Sequence, residues 1–228
     1  MKPDSPTAPV APTQSRVGWK LCLARFGLVV VGLMLWFWTQ SLIAGRPFPA
    51  DRIGDAIHLA TAPVNRYLLD HPQTANALLI VSSAFIDLLG VFLLASAVFG
   101  PTIRPFLGLF MLFVLRQVCQ ALCALPPPEN MIWRYPGFPS LLVTYGTSND
   151  LFFSGHTAIA VYACVELARR GKLWIGVGVV IVLFEMATVL VLRAHYTMDV
   201  FAGAVTALCV SWPAARLAPI FDGLLSKL

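Results

Sequence analysis

The chain has 228 residues, of which 58% are hydrophobic and 12% charged, with a formal net charge of +5 and a mean hydropathy of +0.77. A soluble domain of this size carries roughly a quarter charged residues, so an ordinary soluble enzyme is excluded and an integral membrane protein is expected. The basic residues stand scattered at the ends of apolar runs, with no basic helix face or arm, which argues against a nucleic-acid partner and for topology signals.

In chain order, residues 1–16 are rich in Pro, Ser, Thr and Ala and show no periodicity, the composition of a disordered tail. The apolar run that follows is too long for a signal peptide and lacks a convincing cleavage site. Residues 17–228 are expected to form a single domain. Six segments are long enough to cross a hydrocarbon core of about 30 Å: 20–43, 74–99, 103–124, 151–169, 173–193 and 197–215. Between the first two, Ile53, Ile57, Leu59 and Ala60 recur at helical spacing, which predicts a short interfacial helix. Between the third and fourth, a Pro- and aromatic-rich stretch suits the membrane surface. The expected fold is an all-α bundle of six transmembrane helices. The five cysteines, at positions 22, 119, 123, 164 and 209, form no CxxC pair; buried small hydrophobes fit them better than disulfides or a zinc site.

With the N-terminus inside, ten basic residues fall on the cytoplasmic side and five outside, the Arg169–Lys172 turn weighing most. Both termini are then cytoplasmic, and the outer, periplasmic or lumenal face carries two histidine motifs. "SGHT" places Ser154, Gly155 and His156 at one helix mouth; "RAHYTMD" places Arg193, His195 and Asp199 at another. His195 and Asp199 are four apart and share a helix face, so the carboxylate is expected to hold one ring nitrogen and leave the other free. One helix descends from His156 and the next ascends to His195, which brings both imidazoles to one surface cavity. That set suits phosphoryl transfer: one histidine attacks phosphorus and the other moves protons, while a helix start receives the phosphate. No carboxylate cluster is present to hold a divalent metal, and no cofactor is expected.

At these residues the chain resembles the sphingomyelin synthase-related branch of the type 2 phosphatidic acid phosphatase (PAP2) superfamily. Arg116 is followed, after eight intervening residues, by Leu125 and Pro126, and Asp150 lies six before His156, though Ser148 and Asn149 replace that branch's Cys-Gly. "FFSGH" and "RAHYTMD" are also similar to the plant phosphatidylcholine:diacylglycerol cholinephosphotransferases. The likeness covers about residues 116–200. It implies a PAP2-like fold and a metal-independent transfer of phosphocholine or phosphoethanolamine from a phospholipid donor to a lipid-alcohol acceptor such as ceramide or diacylglycerol, through a phosphohistidine. His195 would be the nucleophile, Asp199 its activator, His156 the acid and base, and Asp150 a residue near the amine end of the head group. Ordinary phosphatases of the superfamily carry a lysine where this chain has Leu109, a proline where it has Gln117 and an arginine where it has Val189. Two phosphate clamps are therefore missing, which suits a phosphodiester donor, with Arg116 and Arg193 supplying the remaining positive charge. Two alternatives stay open: a phosphatase with water as acceptor, and a non-catalytic lipid transporter or scaffold.

Three further expectations concern single residues. His58 and His71 are expected at the surface; the mid-span acids Asp87 and Glu185 line the cavity, pair with Arg116 or a polar neighbour, or are protonated structural acids; and Trp36, Trp38, Trp133, Trp174 and Trp212 belong to an interfacial belt. Oligomeric state is not legible.

Overall fold

The computed structural model describes residues 18–44, 53–145 and 151–227, and among these there are eight helices and no strand. They are α1 (Trp19–Ala44), α2 (Ala56–Ala60), α3 (Ala62–Asp70), α4 (Pro72–Phe99), α5 (Arg104–Leu122), α6 (Gly155–Ala168), α7 (Lys172–Val191) and α8 (Thr197–Leu225). The tail 1–16 expected to be disordered lies outside the described residues.

Helices α1, α4, α5, α7 and α8 are long and apolar enough to cross a membrane. Large apolar side chains on their outward faces are bare, Leu173, Val180 and Met34 among them. Water would not tolerate so much exposed apolar surface on a monomer, whereas lipid does. The expected sixth span differs. Residues 151–154 are not helical, and α6 has 14 residues, about 21 Å at the usual rise, short of a hydrocarbon core. It is buried from His156 to Ala163 without a break, because it packs against α4, α5, α7 and α8 at once. A helix that is apolar all round belongs at the centre.

The turns at the end of the bundle away from His156 are pinned by ions. Arg25 on α1 is 2% exposed; it donates to the Gly100 carbonyl at 2.6 Å and to Asp222 Oδ1 at 3.2 Å. Asp222 also accepts from Ile103 N, so α1, the α4–α5 turn and the end of α8 share one knot. That anchor explains why α8 runs ten residues past the expected end at 215, through Pro219 to Leu225. Arg104 grips the buried Glu166 with two nitrogens, Nε at 3.0 Å and a terminal nitrogen at 2.8 Å. Gly171, at φ 131°, makes the tight α6–α7 turn, a conformation open to glycine and strained for other residues.

The described chain between α5 and α6 is exposed at Arg134, Tyr135 and Phe138, as a surface stretch should be, but its later part dips inward. Asp87, well down α4, accepts from Leu141 N, Leu142 N and Ser140 Oγ, drawing the loop into the bundle. Leu142 and Val143 are buried there. Gly90 makes room for this, since a Cβ on it would come within 2.0 Å of Leu142. Non-helical backbone at such depth is tolerated where protein surrounds it. Glu185, fully buried, accepts from Ser82 Oγ at 2.6 Å. Both acids therefore serve the packing of α4.

Candidate active site

The tucked loop, the turn between α7 and α8, and helices α1, α4, α5 and α6 line a pocket with about 40 Å³ of free space. Its walls carry Arg116, Gly155, His156 and His195, with Trp36, Phe113 and Trp133 as aromatic neighbours. The two histidine motifs thus meet, as their spacing predicts.

The order begins in the non-helical lead-in to α6. His195 Nδ1 lies 2.8 Å from the Leu151 carbonyl; a carbonyl only accepts, so Nδ1 carries the hydrogen and Nε2 the lone pair. Arg116 Nε donates to the Phe153 carbonyl at 2.9 Å. Ser154 N donates to the Asp199 carbonyl at 3.1 Å. Three site residues thereby meet three backbone groups of residues 151–154, which in a membrane have no water to turn to.

Asp199 departs from expectation. Its Oδ2 accepts from Tyr196 N at 2.8 Å, closing the start of α8, and stands 3.8 Å from His195 Nδ1. That separation is beyond a hydrogen bond and within ion-pair range. The Leu151 carbonyl fixes the tautomer, and Asp199 supplies charge. His156 is 7% exposed, and its Nε2 has no hydrogen-bond partner among the described residues. The Trp133 ring stands edge-on to it, centroids 5.3 Å apart, held by its own N–H on the Thr144 carbonyl.

The remaining expected site residues divide. Gly155 lines the pocket, and a Cβ there would sit 3.3 Å from Arg116 Nε, so its smallness serves the arginine. Ser154 is wholly buried and its Oγ caps the helix by accepting from Thr157 N; its side chain is structural. Arg193 does not line this pocket. At φ 53° it turns the chain out of α7, and its terminal nitrogens donate to the Glu129 and His58 carbonyls. Asp150, with Ser148 and Asn149, lies outside the described residues.

Several residues that position the site have no motif. His58 is buried rather than at the surface; its Nε2 donates to the His195 carbonyl at 2.9 Å, and its ring stacks on Tyr196. Asp55 caps α2 through Ile57 N and His58 N and also accepts from Thr197, the first residue of α8. An Asp ahead of a short apolar repeat is a legible cap; its second bond is not. Burial alone would raise the Asp55 pKa, but the bonds from Thr197 and His58 outweigh it and hold the group below the ordinary carboxylate value. Tyr196 Oη donates to the Pro126 carbonyl, joining the Leu-Pro segment to the second histidine motif. His71 is exposed as expected.

Fold and pocket together define an all-helical protein built for a membrane, with two histidines and an arginine facing one buried cavity. The chain belongs to the AtPDCT1/2 family, whose model matches residues 54–216. It is 24% identical over 189 residues to phosphatidylcholine:diacylglycerol cholinephosphotransferase 1 of Arabidopsis thaliana; the match takes in 82% of this chain and 60% of that relative's length. No solved structure matches the chain.

Proposed function

We propose that the protein is a membrane lipid head-group transferase of the sphingomyelin synthase-like, PAP2-related type. It moves phosphocholine or phosphoethanolamine from a glycerophospholipid to a lipid alcohol such as diacylglycerol or ceramide, without a metal. The observation that carries the reading is the pairing of His195, whose Nδ1–H is held by Leu151, with the buried and unpartnered Nε2 of His156 beside Arg116 in one pocket. The name of the Arabidopsis relative points to the same chemistry.

In the first half-reaction His195 Nε2 attacks phosphorus. The N–P bond forms, the P–O bond to the glycerol backbone breaks, and protonated His156 gives its proton to the departing oxygen. In the second, neutral His156 takes the proton of the acceptor hydroxyl as that oxygen displaces His195 from phosphorus. Arg116 offsets the phosphodiester charge, and Asp199 stabilises the imidazolium of His195 across 3.8 Å. Asp150 is kept as the candidate for the amine end of the head group.

On topology, α6 starts at the same pocket as the residues after α7 and ends at the turn where α7 begins. We count it as a sixth crossing whose lead-in, 151–154, supplies length that its helix lacks. Both chain ends then face the cytoplasm and the pocket opens toward the outer face.

The test is purified protein in mixed micelles with head-group-labelled phosphatidylcholine or phosphatidylethanolamine. Diacylglycerol, ceramide or no acceptor is added, beside His195→Ala. Label moving to an acceptor lipid and stopping in the variant is the expected result. Label found only in water-soluble product makes the protein a hydrolase, and no His195-dependent change removes the catalytic reading.

A further inference from the structure

A second cavity lies on the lipid side of the same wall. The groove between α1 and α5 is lined by Gly32, Leu35, Phe110, Val114 and Val118, and its surface is almost wholly apolar. Trp36 and Phe113 line both this groove and the histidine pocket. Their rings stack with centroids 4.4 Å apart, so they form the partition between the two. Toward the pocket the groove turns polar: Gln117 Nε2 donates to Gln40 Oε1 at 3.1 Å, and an Arg116 terminal nitrogen reaches the same oxygen at 3.4 Å.

The partition carries an unmet donor. Trp36 is 8% exposed, and its indole N–H is buried with no hydrogen-bond partner among the described residues. A buried N–H left bare carries an uncompensated desolvation penalty, which a ligand acceptor would recover. The interfacial belt expected of Trp36 accounts neither for this burial nor for its stacking on Phe113.

We propose that the α1–α5 groove holds an acyl chain of the phospholipid donor, and that Trp36 and Phe113 are the gate across which that lipid reaches the histidines, with the Trp36 N–H donating to an ester or phosphate oxygen. The order of surfaces matches the order of a lipid. An apolar groove opens to the bilayer, an amide pair and Arg116 follow, and the two imidazoles come last. The proposal rests on the transferase reading for its chemistry but only on lipid binding for its geometry. It also gives α1, which lies outside the family match at 54–216, a part in the site.

Photo-crosslinking separates the two. Full-length protein is reconstituted in vesicles carrying phosphatidylcholine with a diazirine midway along one acyl chain, and labelled peptides are mapped. The groove predicts labelling concentrated on residues 32–39 of α1 and 110–118 of α5, unchanged in His195→Ala and reduced several-fold in Val114→Trp, which fills the groove. Labelling spread evenly over the outward faces of α7 and α8 overturns it. In the transfer assay, Trp36→Phe keeps the ring stack and removes the donor; a drop of about tenfold in rate with labelling retained is expected. An undiminished rate removes the N–H from the proposal. Groove labelling in a protein without transfer activity would sink the transferase reading and leave the lipid site standing.

Discussion

Asp55 and Thr197, 142 positions apart, share two hydrogen bonds: Thr197 N donates to Asp55 Oδ2 at 2.6 Å and Thr197 Oγ1 to Oδ1 at 2.7 Å. Oδ1 also accepts from Ile57 N and His58 N. One carboxylate therefore opens two helices, α2 and α8. Since His58 in turn holds the His195 carbonyl, the short helix α2 fixes the backbone on both sides of Tyr196.

Asp55→Ala should lower kcat about 10- to 100-fold with little change in KM, because a shift of about 1 Å at His195 costs roughly that much. Asp55→Asn keeps an acceptor for Thr197 and should recover part of the loss. Initial rates across phospholipid concentrations, with thermal unfolding alongside, check this. Equal rates in all three proteins would mean that α2 does not position the site.

The same carboxylate sets an acid limit. Its folded pKa lies below the ordinary value of 3.8, so its stabilisation is fully present above that value and is lost as pH falls through the folded pKa. Wild type should be more stable than Asp55→Asn at pH 5–7, and the gap should close only below about pH 4. Melting temperatures of both proteins from pH 3 to 7 give the comparison.

Much of this was legible in the residues. Runs of about 20 apolar positions located α1, α4, α5 and α7 to within two residues at every end, because hydrocarbon thickness leaves little freedom. The histidine pair was legible because helix connectivity alone brings His156 and His195 to one face. What escaped depends on backbone partners, which leave no mark in residue type. His58 answers the His195 carbonyl, and Leu151 displaces Asp199 from the imidazole. Arg193 has the charge of a phosphate clamp, yet both its terminal nitrogens are taken by carbonyls. Asp87 reads as a membrane-buried acid until the loop it gathers is seen.

Asp199→Asn should be milder than its counterpart in a serine-protease triad. There the carboxylate accepts from the histidine Nδ1–H, and its amide replacement costs about 10⁴ through the wrong tautomer. Here the Leu151 carbonyl holds that hydrogen, and an amide oxygen can still accept from Tyr196 N. A rate loss of about 10- to 100-fold is expected, against loss to background in His195→Ala. Single-turnover transfer with labelled phospholipid checks it, and a loss equal to that of His195→Ala would return tautomer control to Asp199.

Gly155→Ala probes the arginine. The new Cβ would stand 3.3 Å from Arg116 Nε, tighter than ordinary contact, so the guanidinium must shift or give up the Phe153 carbonyl. Since Arg116 is expected to meet the phosphodiester in ground state and transition state alike, KM should rise several-fold with kcat falling less. Steady-state kinetics on mixed micelles show which parameter moves. An unchanged KM would take Arg116 out of phosphate binding.

The Arg104–Glu166 pair tests where stability lies. Glu166 is 5% exposed on the central helix α6, and Arg104 meets it from α5 with Nε at 3.0 Å and a terminal nitrogen at 2.8 Å. Arg169, from the next turn, reaches it at 3.4 Å but is largely exposed. Removing Arg104 leaves a buried carboxylate with one weak partner, and breaking such a pair costs about 3–5 kcal/mol; the partial exposure of Arg104 puts the expected loss near the lower end. Replacing both partners by apolar residues of similar size, Arg104→Met with Glu166→Leu, removes the stranded charge and should restore most of the stability. Thermal unfolding of wild type, Arg104→Ala and the double variant in one detergent makes the comparison. A single variant as stable as wild type would mean that water or Arg169 already serves the carboxylate. A double variant no better than the single would mean that the cost lies in lost packing of α5 on α6 rather than in charge.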